Sequence, residues 1–379
     1  MENLGKHLQA GLACTENDVI SHATDLFRPI AKEISMRDSQ IVYITPTSVI
    51  TQAGPYDFQI SQMGDSYIQA NQIRLYMKAK VVTSTGDDIT EDDGVGVANL
   101  LGNSMFKTIQ VSIGSKNITD LENTHANYKA YLETLLSYAP HKDGGGHLAA
   151  SCWALDTAGH FGDVNYGDGI IKQAGSTTAI APNTKNVGLQ NRRALIKDSK
   201  ERDLMFPIHC DFFNCDRLMP PGLDISLKLI RASDSFVLMH PAHATKSYKI
   251  ILSEICLHVP YISVAEAIVA NHRRLAATQP VLMPIKKTEV LIQHIPAGGR
   301  NVLLANLFQN RLPKTLLIGM LGTANYNGDS GLNPYNFQHF GVNHIQITKN
   351  GVAIPPQPYI PNWAEGQFVR EYRSFFDNT

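Results

Sequence analysis

The chain is poor in charge, poor in cysteine, and without any long apolar run. Charged residues make up 18% of its 379 residues, against about 25% in ordinary globular domains, a deficit that extensive subunit contact would explain. Cys14, Cys152, Cys210, Cys215 and Cys256 are an odd set, widely spread in a chain too long to depend on disulfides, so a reducing compartment is expected. No stretch approaches the ~20 apolar residues that span a bilayer. The opening MENLGKHLQA lacks the apolar core of a signal peptide, which makes synthesis in the cytosol the expectation. A formal net charge of -1 and a pI near 6.9 argue against a globally basic nucleic-acid binder, though a local basic patch is still allowed.

Catalytic signatures are missing as well. There is no G-x-x-x-x-G-K-[ST] phosphate loop, no G-x-S-x-G elbow and no His-Glu-x-x-His helix. Gly94-Val95-Gly96 lacks the third glycine and the strand-to-helix setting of a dinucleotide site. Asp87, Asp88, Asp92 and Asp93 do not match EF-hand spacing, so Thr85 to Gly96 reads as a solvated acidic turn, with calcium a weak rival. His209, Cys210 and Cys215, with Cys256 and His258 on a neighbouring strand candidate, form the most metal-like cluster. Their spacing fits no paired C-x2-C zinc pattern, and ordinary core residues are the favoured reading. Arg192, Arg193, Lys197, Lys200 and Arg202 form a basic cluster that could meet nucleic acid or an acidic neighbour. Without interleaved aromatics, a solvated charged face is favoured. The expectation is a non-enzymatic chain with no catalytic, cofactor-binding or metal residues.

What the chain does have is strands. Candidates run over Ile41 to Ile50, Tyr56 to Ile60, Ile73 to Val81, Ile109 to Ile113, Leu204 to Phe213, Leu223 to Arg231 and Tyr248 to Val259. In the third, Ile73, Leu75, Met77, Ala79 and Val81 face one way and Arg74, Tyr76, Lys78 and Lys80 the other, as in an antiparallel sheet packed on one side. Two helices interrupt them. Thr119-x-x-Glu122 predicts a capping box ahead of Tyr128, Tyr131, Leu132 and Leu135, with Pro140 as the stop. Ser263-x-x-Glu266 predicts another, with Val264, Ile268 and Leu275 on one side and Arg273 and Arg274 at the end. Between the helices, residues 139 to 190 read as long loops.

Beyond Pro280 there are roughly four to five more strand candidates. Leu316 to Leu321 reads as a strand covered on both faces, and Gly322 to Pro334 as an ordered loop. Strand character returns at Val342. Asn350-Gly351 predicts a type I′ hairpin into Val352 to Ile354, and Pro355, Pro356 and Pro358 are expected to end the pairing. Strands without regular helix alternation disfavour a parallel α/β sheet and point to sandwiches or barrels. The length suits two such units, since single cores rarely exceed roughly 250 to 300 residues.

Several segments carry a family resemblance: Leu307-Phe308, Leu312-Pro313-Lys314, Asn333-Pro334 with Asn336-Phe337, and Gly351 leading to Ile354-Pro355. Ala79-Lys80-Val81-Val82, the run from Tyr131 to Tyr138, Thr157-Ala158-Gly159-His160 and Arg192-Arg193-Ala194-Leu195-Ile196 join them in the same order. Together they resemble the major capsid proteins of polinton (Maverick) elements and adintoviruses. The resemblance implies an all-β double jelly roll, two tandem antiparallel β-sandwiches with short decorating helices. On it, residues 1–35 form an N-terminal arm. Residues 36–278 form a first roll with a loop insertion at about 139–201 and a closing helix, and 279–379 form a second roll, truncated because the chain stops at Thr379. It further implies a capsomer subunit that assembles as a homotrimer and then as an icosahedral shell. Penton and other capsid proteins would be partners, with no specific nucleic-acid sequence, no transmembrane segment and no cofactor. The location implied is the virion capsid, with synthesis in the host cytosol and nuclear assembly left open. Leu307, Phe308, Leu312, Pro313, Asn333, Pro334 and Phe337 are the signature and candidate interface residues. The alternatives are a host protein that keeps such a sandwich as a binding module, and a metal-dependent enzyme around His209, Cys210 and Cys215.

Overall fold

The computed structural model describes residues 34–90, 93–119, 125–137, 146–164, 171–172, 179–180, 185–241, 246–305, 307–308 and 312–375. Its strands are β1 (Met36–Ile44), β2 (Tyr56–Ile60), β3 (Tyr67–Ile68), β4 (Arg74–Thr83), β5 (Gly96–Val97), β6 (Phe106–Ile113), β7 (Lys116–Asn117), β8 (Ile171–Lys172), β9 (Ala179–Ile180), β10 (Arg202–Pro207), β11 (Ile225–Arg231), β12 (Leu238–Met239), β13 (Tyr248–Val264), β14 (Ile345–Lys349) and β15 (Val352–Tyr359).

Two antiparallel sheets carry the fold. One runs β1-β13-β4-β10, with β3 also on β13, and the other runs β2-β11-β6-β7. If the principal strands β1, β2, β4, β6, β7, β10, β11 and β13 are counted one to eight, the sheets read 1-8-3-6 and 2-7-4-5. That order arises when four antiparallel pairs, 1/8, 2/7, 3/6 and 4/5, wrap together around one core, which is a jelly roll. The alternation in the sequence supplies the core. On β4, Leu75, Met77, Ala79 and Val81 are buried while Arg74, Tyr76, Lys78 and Lys80 are half-buried. On β11, Ile225, Leu227 and Leu229 point inward. Tyr56 and Phe58 of β2 and Phe206 of β10 complete the same cluster. β13 is long enough to pair with both β1 and β4, and a register shift between Leu252 and Glu254 bends it around the roll.

The helices differ from expectation in ways that hydrogen bonds explain. The first spans Ala126–Ser137; Thr119 does not cap it, because its hydroxyl accepts from the Val111 N–H instead. The predicted Ser263 cap is part of β13, so the second helix, Glu266–Ala276, follows Ala265, and its buried residue is Val269 rather than Val264, Ile268 or Leu275. A third helix, Val187–Ile196, lies where a loop was expected.

After Pro280 the described residues hold one strand hairpin, β14 with β15, and a single bridge between Asn362 and Gln367. The hairpin's turn is as expected, with Asn350 at φ 51 and Gly351 at φ 81, the pair of positive values a type I′ turn needs. β15 nevertheless continues through its three prolines, and after a register shift Ile345 pairs with Tyr359; a two-stranded ribbon leaves each strand a free side where a missing N–H costs nothing. Leu316 to Leu321 is not a strand. Leu316, Leu317 and Ile318 are exposed, because a run covered on both faces needs a neighbour on each side and no described segment supplies one.

Candidate functional site

The stretch from Gly322 to Phe337 lies on the jelly roll and builds a buried seam with it. It starts with a helical turn, Thr323–Asn327, that stops at Gly328. Gly328 has φ +81, and a Cβ there would sit 3.0 Å from the Phe236 backbone, so glycine is required both for the turn and for the close approach. Asn333, Pro334 and Tyr335 are then buried. The Tyr335 ring lies flat on Tyr131, with centroids 4.1 Å apart and planes 2° from parallel. Tyr128 and Phe236 meet it edge-on at 5.7 Å and 6.0 Å. Tyr128 and Tyr131 present one face of the Ala126–Ser137 helix, which is why their spacing matters. The Ser104 hydroxyl donates to the Asn99 carbonyl at 2.6 Å. Its one hydrogen is thereby used, so the Tyr335 hydroxyl donates to Ser104 Oγ, also at 2.6 Å. Burial pushes the Tyr335 phenol well above its ordinary range.

A polar clamp stands beside the rings. Asp156 holds Arg192 on one oxygen at 2.7 Å and accepts from the Asn333 amide on the other at 3.1 Å. The Arg192 side chain is 0% exposed; its Nε donates to the Val97 carbonyl at 2.9 Å and its Nη1 to the Ala154 carbonyl. Asn333 Oδ1 accepts from the Tyr335 N–H at 3.0 Å, and the Asn325 amide donates to the Asn333 carbonyl at 2.8 Å. The helix that delivers Arg192 is seated by two local features. Asn186 caps it by accepting from the Leu189 N–H at 3.3 Å. Gly188 lets it touch the Leu155 carbonyl, which a Cβ would approach to 2.3 Å. A buried ion pair adds little net stability, yet removing one partner strands the other charge, so the clamp admits one docking register. Its donors and acceptors satisfy one another, and the chemistry it performs is holding.

Of the seven signature residues, Asn333, Pro334 and Phe337 meet at this seam, Phe337 lying 6.2 Å from the Tyr128 ring and 6.4 Å from Tyr131. Leu307 and Phe308 are half-buried outside it, and Leu312, 60% exposed, and Pro313 are at the surface. Sequence reasoning missed Tyr335, Asp156 and the role of Arg192. The solvated basic face is corrected in part: Lys200 is exposed, but Arg192 and Arg193 are buried, Arg193 donating to the Val164 carbonyl at 2.9 Å, and Arg202 donates to the Leu195 carbonyl. The available signal was the Tyr128 and Tyr131 stripe, which needed an apolar partner from elsewhere in the chain.

The metal-like residues are dispersed among other partners. His209 Nδ1 pairs with Glu133 Oε2 at 2.8 Å. Cys210 and Cys215 are buried free thiols, and burial pushes Cys210 up to about 11. His258 packs against the rings of Tyr43 and Tyr76. Among the described residues no group of three or more His, Cys, Asp or Glu side chains is placed to hold a metal ion. Cys14 and Asp92 lie outside the described residues. In the acidic turn Asp93 is not solvated: it accepts from Lys246 at 2.8 Å, from the Tyr248 hydroxyl at 3.0 Å and from Thr90. Among the described residues no helix is long and apolar enough to cross a membrane.

No family model matches the chain. Among curated proteins it is similar to the uncharacterized protein F54H12.2 of Caenorhabditis elegans, 21% identical over 351 residues that span 89% of this chain and 76% of the relative. Among solved structures it is similar to three viral capsid proteins. The Vp54 protein of PBCV-1, fitted into a reconstruction of the virophage Sputnik, is 11% identical over 65% of this chain, with a TM-score of 0.37. The mavirus major capsid protein is 11% identical over 68%, with a TM-score of 0.31, and the Faustovirus major capsid protein 9% identical over 72%, with a TM-score of 0.37. The chain spans 46%, 55% and 62% of the length of those three proteins, respectively. These overlays are distant, and it is the strand order within the chain that establishes the jelly roll.

Proposed function

We propose that this chain is a structural subunit of an icosahedral shell, the major capsid protein of a polinton-like virus or element, assembling as homotrimeric capsomers. The observation that carries the reading is a jelly roll to which a later stretch of the same chain, Gly322 to Phe337, is fixed in a single register through Asn333 and Tyr335, with the β14–β15 hairpin following it. Two rolls held rigidly side by side are what a pseudohexagonal capsomer needs, and closed symmetry then turns small contacts into a shell. On this reading residues 279–379 are the second roll, residues 1–35 an arm between subunits, and Leu307, Phe308, Leu312 and Pro313 contact neighbours. Exposed Val281, Leu282, Leu291, Ile292, Leu303 and Ile318 support it, because apolar surface on that scale is normally covered by protein. Penton and other capsid proteins are the remaining partners, the virion is the location, and the role is geometric rather than catalytic. Chemical cross-linking followed by negative-stain imaging tests it: trimers or shells are expected, and single unlinked chains in low and high salt would overturn it.

The nematode relative favours a second reading, a host protein descended from such a gene that keeps the sandwich as a binding module. Genes for a packaging ATPase and a protease beside this one would favour the capsid reading, and a solitary gene among host genes the second.

A further inference from the structure

We propose that Lys129 and Asp211 form an intramolecular isopeptide cross-link, with Glu133 as the proton carrier. This inference is independent of the shell role. Lys129 lies on the Ala126–Ser137 helix with only 5% of its side chain exposed, and its Nζ is in direct contact with Asp211 Oδ1. One helical turn on, Glu133 places Oε1 3.7 Å from the same nitrogen. Glu133 is itself oriented, since its other oxygen is paired with His209 Nδ1 at 2.8 Å. Asp211 opens a turn whose next two residues, Phe212 and Phe213, are buried. An amine, a carboxyl and a second carboxyl thus converge at one partly buried point.

The two Asp211 oxygens have different fates. Oδ2 accepts from the Thr288 N–H at 2.8 Å, the position of an amide carbonyl oxygen, whereas Oδ1 faces the amine and is the leaving oxygen. The step begins with transfer of a proton from the Lys129 ammonium to the Asp211 carboxylate across their direct contact. The nitrogen lone pair bonds to Asp211 Cγ. One N–H proton passes through the Glu133 carboxylate to Oδ1, the Cγ–Oδ1 bond breaks, and water leaves. One amide and one water replace one amine and one acid, so no oxidant, reductant or co-reactant is needed. Glu133 stands at ion-pair distance from the reacting nitrogen and closes on it to carry the proton in this step; His209 is a positioning residue. The bond would join points 82 residues apart and tie the helix to the turn after β10.

Intact-mass measurement of the denatured, reduced chain is the test. The expected mass is one water below that of the sequence, and trypsin should give a branched peptide joining residues 117–142, uncut at Lys129, to residues 203–217. Loss of water without the branched peptide would place the change elsewhere and overturn the proposal. So would the full sequence mass together with linear peptides ending at Lys129. Glu133→Gln should slow bond formation by roughly 100-fold, the weight of a positioned proton carrier. If that variant cross-links as fast as the parent, Glu133 is not the carrier. If it does not fold, the parent's mass and branched peptide still decide whether the bond exists.

Discussion

Tyr335 does at one position what a helix or strand does elsewhere, joining parts of the chain far apart in sequence. Its ring fills the space between Tyr131, Tyr128 and Phe236, and its hydroxyl closes the chain through Ser104 to Asn99. Tyr335→Ala should therefore cost about 3–5 kcal/mol of stability in urea unfolding, as other emptied aromatic core sites do. Tyr335→Phe keeps the stack and should cost only about 1 kcal/mol, for one lost hydrogen bond. Asp93 gives a pH signature. Burial pushes its carboxyl up, but bonds from Lys246, Thr90 and Tyr248 more than offset this and leave it below the ordinary range. A carboxyl depressed on folding stabilises the fold above its unfolded value of about 3.9, and that contribution is lost as pH falls through the lower folded value. Asp93→Asn should thus flatten the stability profile below about pH 4, as read by thermal melts across pH. Neither Asp93 nor Arg192 was legible in advance. Asp93 looked like one acid in a solvated turn, and Arg192 like part of a surface patch, because the partner Asp156 lies 36 positions earlier and pairing at that range leaves no local pattern.

Strands and helices were legible to different degrees, for a physical reason. β2, β4 and β11 each bury one face, so the alternation of apolar and polar residues reports their packing directly. Leu316 to Leu321 carries an equally apolar run, but a run reports what a segment can bury and not whether a neighbour exists to bury it. The Val187–Ile196 helix was hidden by its own chemistry, since two of its buried residues are arginines. Gly188 on that helix offers a test in which two effects have opposite signs. In an open helix Gly→Ala gains roughly 0.5–1 kcal/mol from backbone entropy. Here the new Cβ would lie 2.3 Å from the Leu155 carbonyl, which belongs to the backbone and yields only if the loop moves. Overpacking of this kind costs about 1–3 kcal/mol, so Gly188→Ala should lower the unfolding midpoint rather than raise it.

The wrapped order 1-8-3-6 and 2-7-4-5 could not be read from strand patterns alone, because each pair joins segments set by the whole fold; the family resemblance implied a jelly roll and no order. Once formed, that order leaves an asymmetric molecule. The jelly roll has a closed core, while the region after Pro280 shows one strand hairpin among its described residues and a long stretch of exposed apolar side chains. A lone chain with that surface should be driven into contact with other chains. The most direct measurement is sedimentation velocity on the purified chain across concentration and salt. A shell subunit should run as a species of three chains, with larger assemblies as concentration rises. A single, concentration-independent species of one chain at every salt would contradict the capsid role.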